Sequence, residues 1–170
     1  WHQIITKRKP INYVHARAAQ VIKIVGKDIW MDYYKFCFVR NPFERMLSGY
    51  YWSKKNREQR GAAPISPFNE WIYTLSKNKI STWSRYTLKN KIAVDFIGRY
   101  ESIESDFAHI CHHLNLSALE LQKAKANIRT DRRHYSQIIN SNSRKYIEKV
   151  CQKEMQAFGY AWNDGGVGEA

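Results

Sequence analysis

The sequence predicts an α/β layered fold, a parallel sheet flanked by helices, on three observations. Two short segments rich in aromatic and β-branched residues, 35–39 and 94–100, read as buried strands. Each is followed at once by a longer segment whose apolar residues recur at the helical period. Finally, 44% of the 170 residues are apolar and 14% aromatic, ample for one core. Strands alternating with helices over that length build a sheet whose neighbours run parallel, because the helix carries the chain back.

The elements follow in order. Val14, Ala18, Val21, Ile22 and Val25 share one helical face, predicting a helix over 12–25 that Gly26 ends in the left-handed conformation. Lys35 to Val39 is the first strand, bounded by Asn41-Pro42. Phe43, Met46, Leu47 and Tyr50 then repeat every three to four residues, and Pro42 suits a first helical turn because it lacks an N–H that would be orphaned there. The charged, Gly-containing run 54–63 reads as a loop. Ser66-Pro67 reads as a cap and first helical position for a helix to about 76. After the second strand, Ile103, Phe107, Ile110, Cys111 and Leu114 make an amphipathic helix capped by Ser102. A last long helix is predicted over 142–157, with Tyr146, Ile147, Val150 and Cys151 inward and Gly159 as its stop. Residues 1–162 are expected to form one domain, followed by a frayed tail over 163–170.

Lys and Arg number 28 against 15 Asp and Glu, a net charge of +13 that attracts anions. Nucleic acid, an anionic polysaccharide, a membrane surface or a phosphorylated nucleotide would each satisfy it. No apolar run approaches the roughly 18 residues of a membrane span. Cys37, Cys111 and Cys151 are odd in number and lack metal-ligand spacing, so free thiols and no metal site are expected. The thiols lean the compartment towards the cytoplasm over the Golgi lumen, which stays open.

Chemistry concentrates in residues 36–50, FCFVRNPFERMLSGY. Ligands of open α/β sheets bind at the carboxyl ends of strands, and a helix N-terminus aims N–H groups and a positive dipole at an anion. Arg40 stands at that strand end, and its guanidinium can hold two phosphate oxygens at once. Ser48, about two helical turns further on, can add a hydroxyl to the same phosphate. The plain alternative is a surface Arg and a helix Ser.

The whole string resembles the 3′-phosphate-binding motif of sulfotransferases that use 3′-phosphoadenosine 5′-phosphosulfate (PAPS), in particular the carbohydrate-type family, sulfotransferase family 2. Arg40 and Ser48 fall on that motif's two phosphate ligands. Three further segments resemble the same family in order. Residues 94–101, VDFIGRYE, are similar to a strand ending near the nucleotide, which makes Arg99 an anion contact and lets Tyr100 either stack on adenine or pack in the core. Arg132-Arg133-His134-Tyr135 resembles a basic, aromatic loop that closes over the nucleotide, with a solvated charge run as its alternative. Residues 146–160, closing on Phe158-Gly159-Tyr160, resemble the terminal helix. His15 occupies the place of a recurring family His, a candidate base for the acceptor hydroxyl or otherwise a capping or core His.

The resemblance implies a P-loop-like three-layer fold and sulfuryl transfer from PAPS to a hydroxyl or amine of an acceptor, a carbohydrate. PAPS would be a co-substrate, with no metal. One hallmark is missing. The family's Lys- and Gly-containing turn for the 5′-phosphosulfate matches nothing in residues 1–34, and the chain opens at Trp1 without a Met. The expectation is therefore a domain whose first strand and loop lie upstream, with turnover by these 170 residues in doubt. The competing class is a non-enzymatic polyanion- or nucleic-acid-binding module, carried by the charge and by Tyr50-Tyr51-Trp52 beside Lys54-Lys55. It has no helix-turn-helix, RRM or zinc-finger pattern behind it.

Overall fold

The computed structural model describes residues 16–117, 121 and 128–164. His15, the run Lys7-Arg8-Lys9 and the predicted helical start at 12–15 lie outside them. Helix α1 (Ala18–Val25) opens after Arg17, whose extended backbone has its N–H bound by the Gln20 side chain at 2.9 Å. The expected left-handed residue at Gly26 is instead glycine-only extended backbone, φ 90° and ψ 161°. That conformation ends α1 and turns the chain directly into α2 (Lys27–Asp32).

Strand β1 (Phe36–Val39) leads to α3 (Pro42–Gln59). Asn41 caps α3, its side-chain oxygen accepting from the N–H groups of Phe43 at 2.9 Å and Glu44 at 3.4 Å. Pro42 takes the first turn, as the sequence predicts. The predicted loop at 54–63 is a correction: α3 continues to Gln59, because Lys, Arg, Glu and Gln are good helix formers even where no apolar face marks them. Helix α4 (Phe68–Thr74) starts one residue later than expected, with Pro67 at the cap position and no side-chain cap from Ser66. Short helices α5 (Lys77–Ile80) and α6 (Trp83–Tyr86) follow. A hairpin of β2 (Thr87–Leu88) and β3 (Lys91–Ile92) turns through Lys89 and Asn90, both at positive φ.

Strand β4 (Phe96–Arg99) pairs with β1 in parallel, in the register Phe36↔Phe96, Phe38↔Gly98, Val39↔Arg99. Gly98 is what allows so close a pairing: a Cβ there would stand 2.5 Å from the Phe38 ring. Tyr100 to Ser102 form a 3₁₀ turn into α7 (Ile103–His113), so Tyr100 has left the strand predicted to end on it. The Ser102 hydroxyl caps no N–H and donates instead to the Asp106 carboxylate at 2.9 Å. The single helix predicted over 142–157 is two, α8 (Ser141–Val150) and α9 (Gln152–Phe158), broken at Cys151. The break lets Ile147 of α8 and both Glu154 and Phe158 of α9 face inward. Gly159 closes α9 in the left-handed conformation at φ 66°, as expected.

The result is the mixed α/β architecture the sequence predicts, a parallel strand pair flanked by helices. The main core joins Phe43, Met46 and Leu47 of α3 to Phe68, Trp71 and Ile72 of α4 and to Tyr135, Ile139 and Ile147. Trp162 stands edge-on to Phe43, and the Asn163 N–H donates to the Tyr135 hydroxyl at 2.8 Å, which ties the chain to the core as far as that point. Val39, Tyr86 and Phe158 form a second cluster beneath the strands. Among the described residues no helix is long and apolar enough to cross a membrane.

Candidate functional site

The register Val39↔Arg99 sets the next residues, Arg40 and Tyr100, side by side where the two strands end. The Arg40 guanidinium lies 4.3 Å from the centre of the Tyr100 ring. A planar cation over an aromatic face is held flat without losing its edge donors, so this contact aims Arg40 while leaving it able to bind. Tyr100 is 50% exposed, which removes it from the core. The turn itself is stapled: the Asn41 N–H donates to Glu101 at 2.7 Å, and the Tyr160 hydroxyl donates to the other Glu101 oxygen at 2.9 Å.

Spacing along α3 places Glu44 and Ser48 on the face that begins at Arg40, four residues apart each time. Glu44 accepts from Arg40 at 3.4 Å and from Arg129 at 2.8 Å, through the same carboxylate oxygen. Ser48 is half-buried on this face. One turn further on, Tyr51 lies beside Asp131. The segment 129–133 therefore lies over α3 from Glu44 to Tyr51. Its own conformation is set by Arg129, which donates to the Asp131 carbonyl at 2.7 Å and to the Arg133 carbonyl. Arg133 closes a fork on the Asp131 carboxylate at 3.0 and 2.6 Å. That fork, with the Arg133 N–H, holds the Asp131 carboxyl well below the usual aspartate range.

Residues 3–161 match the family model described as the sulfotransferase family. The chain belongs to that family. A protein of Archaeoglobus fulgidus described only as uncharacterised is 33% identical over 96 residues, which cover 54% of this chain and 76% of that protein. No solved structure matches the chain.

In this sulfotransferase, then, two of the residues singled out in the sequence, Arg40 and Tyr100, meet at one strand end, while Ser48 stands about two turns along α3. Arg133 reaches the same helix through Asp131 and Tyr51, while Arg132 is exposed on the segment between. Arg99 points elsewhere: its guanidinium donates to the Phe158 carbonyl at 2.7 Å and lies 5.4 Å from the Tyr160 ring. Arg99 ends β4 and Tyr100 opens the 3₁₀ turn, and their side chains part there, Tyr100 towards Arg40 and Arg99 towards Phe158. Arg129 and the bridging role of Glu44 were not read from the sequence. Glu44 carried a signal, its spacing of four from both Arg40 and Ser48; Arg129 carried none.

A cavity of about 880 Å³ runs along β1 on the side of α1 and α2, walled by Val21, Trp30 and Phe38, with Arg40, Arg45 and Arg85 on its lining. Burial pushes the Cys37 thiol on the same strand up to about 12. Of the aromatics expected to form a nucleic-acid stacking platform, Tyr50 packs on Phe68 and Trp71 and Tyr51 lies edge-on to Tyr50, while Trp52 is 39% exposed. Among the described residues no cluster of His, Cys, Asp or Glu is placed to hold a metal ion.

Proposed function

We propose that the chain is a PAPS-dependent sulfotransferase acting on a hydroxyl or amine, with a carbohydrate as the acceptor class. The observation that carries this reading is the Arg40 guanidinium, set over the Tyr100 ring at the carboxyl end of a parallel strand and at the start of a capped helix. A 3′-phosphate there meets a fork of donors, the positive end of α3, and the Ser48 hydroxyl two turns along. The adjoining cavity of 880 Å³ is within the range that takes a nucleotide-sized ligand, and on its mostly apolar and aromatic lining Arg40, Arg45 and Arg85 suit an anion. These features fit the nucleotide.

In the reaction, an acceptor oxygen attacks the sulfur in line with the phosphosulfate bridge. A new S–O bond forms, the bridging S–O bond breaks, and adenosine 3′,5′-bisphosphate leaves. The acceptor proton passes to a base, the role assigned to His15. Arg40 and Ser48 contribute by fixing the donor at its far end, which aligns the sulfur without touching it. The net charge of +13 draws in both the donor and an acceptor that is already anionic.

Incubating the full-length protein with radiolabelled PAPS and mixed glycosaminoglycans tests this directly. Label should pass to the polysaccharide and adenosine 3′,5′-bisphosphate should inhibit. Transfer to phenols but not to sugars would move the acceptor class, and no binding of the bisphosphate would remove the donor.

A further inference from the structure

We propose that Arg129 is a positioning residue of the anion site that acts through Glu44, neutralising that carboxylate so that Arg40 stays available to a phosphate. The proposal rests on the reading of Arg40 as the phosphate ligand.

One Glu44 oxygen accepts from both guanidinium groups, and the two contacts are unequal: 2.8 Å to Arg129 and 3.4 Å to Arg40. Arg129 thus has the stronger hold on the carboxylate. Arg40 is left with a long contact to Glu44, its plane supported by Tyr100. Remove the Arg129 charge, and Glu44 becomes an unbalanced anion one turn from both Arg40 and Ser48. It would then draw in Arg40 as its own partner and repel an incoming phosphate dianion at the same place.

The geometry also says why Arg129 works indirectly. Its three nitrogens each donate within the protein, to the Asp131 carbonyl, to Glu44 and to the Arg133 carbonyl. A guanidinium so engaged orients its own loop and its carboxylate partner, with little left for a ligand. The segment 129–133 is therefore more than a charged flap. It delivers a counter-ion to Glu44, the acidic residue one turn from both Arg40 and Ser48 on α3.

The test is a double-mutant cycle in the full-length protein: wild type, Arg129→Ala, Glu44→Gln and the double variant, with Arg129→Lys as the conservative control. Each is titrated calorimetrically with adenosine 3′,5′-bisphosphate and with 5′-AMP. In parallel, inorganic phosphate is tested for protection of Arg40 against phenylglyoxal, read by peptide mass spectrometry. Arg129→Ala should weaken the bisphosphate about tenfold, as loss of one charge-assisted contact does. Glu44→Gln should bind at least as tightly as wild type, and adding it to Arg129→Ala should restore affinity to within about threefold. Arg129→Lys, which keeps the charge, should retain most of the affinity, whereas a loop needing only the fork's shape would lose it. Phosphate protection of Arg40 should follow the same order.

If the double variant stays as weak as Arg129→Ala, or Arg129→Ala binds normally, the coupling through Glu44 is wrong. If wild type fails to prefer the bisphosphate over 5′-AMP, the 3′-phosphate reading falls instead. The phosphate-protection series then still decides whether Arg129 governs Arg40 through Glu44.

Discussion

Arg45 in α3 and Glu154 in α9, 109 residues apart, meet at 2.8 Å with the Glu154 side chain only 4% exposed. Glu154 also accepts from the Ser81 hydroxyl at 3.1 Å, the Thr82 hydroxyl at 2.9 Å and the Thr82 N–H, all three on the oxygen that Arg45 leaves free, so both oxygens of a buried carboxylate are partnered. Arg45 donates on to the Ile80 carbonyl at 2.7 Å. This network joins the helix that carries the candidate phosphate ligands to the C-terminal helix and to the turn between α5 and α6. A buried ion pair adds little over a well-packed apolar pair, but removing one partner strands the other. Glu154→Ala should therefore destabilise the protein by about 3 kcal/mol, read in urea unfolding. A loss under about 1 kcal/mol would mean that water enters and solvates Arg45.

Gly98 gives a second test, on the sheet. Gly98→Ala would place a methyl 2.5 Å from the Phe38 ring and 3.2 Å from the Asp106 Cβ. The strands must part or the ring must turn, at a cost of about 1–3 kcal/mol. Pairing it with Phe38→Leu should return part of that loss. A double variant no better than the single would place the strain at Asp106.

What was legible in the sequence was what is local. Residues 36–50 announce a strand, a cap and a helix within one stretch, and that stretch carries Arg40 and Ser48 at a spacing the helix converts directly into a shared face. The resemblance carried by four such stretches was enough to give the family. What was not legible depends on partners far along the chain. The end of α3 is written in charged residues that look like loop until they are seen as helix formers. The break at Cys151 follows from α9 turning Glu154 towards Arg45, which no periodicity in 142–157 encodes. Arg129 reaches Glu44 across 85 residues, and only the fold brings them together. Arg99 shows the converse: standing at a strand end suggests an anion contact, but the fold brings the Phe158 carbonyl, 59 residues on, and the Tyr160 ring to its guanidinium.

Acid should loosen the segment over α3 before it unfolds the core. The Asp131 carboxyl is held down by hydrogen bonds from Arg133, so its pKa is lower folded than unfolded. A group depressed in this way contributes stability above its unfolded value and loses it as pH falls towards the folded one. Docking of 129–133 should thus be constant from neutrality down to the ordinary aspartate value of 3.8 and weaken below it. Hydrogen exchange at the amides of residues 131–134 over that pH range checks this, after correction for intrinsic rates. Asp131→Asn should abolish the acid dependence, and protection unchanged at the lowest pH would show that the Arg129 contacts alone hold the segment.

His15, if it takes the acceptor's proton, is replaceable only at the expense of the chemical step. His15→Ala should lower kcat by about a hundredfold with donor affinity unchanged, and the acid limb of the rate profile should go with it. A variant with near-normal kcat would return His15 to a capping or packing role.

The Arg40 site makes the sharpest distinction between ligands. A guanidinium that holds a 3′-phosphate through two parallel hydrogen bonds loses both on truncation, so Arg40→Ala should weaken adenosine 3′,5′-bisphosphate by about 2 kcal/mol or more. The weaker binding of 5′-AMP, which lacks that phosphate, should hardly change. Arg40→Lys separates charge from shape. Lysine keeps the positive charge beside Glu44 but offers a single ammonium in place of a flat fork, and it gives up most of the stacking on Tyr100. It should fall between wild type and alanine, and Tyr100→Leu should move wild type in the same direction by loosening the guanidinium while leaving its charge in place. Calorimetric titration of both ligands across these variants decides the matter. Equal losses for bisphosphate and monophosphate on Arg40→Ala would take Arg40 away from the 3′-phosphate, and a lysine variant as tight as wild type would reduce its role to charge alone.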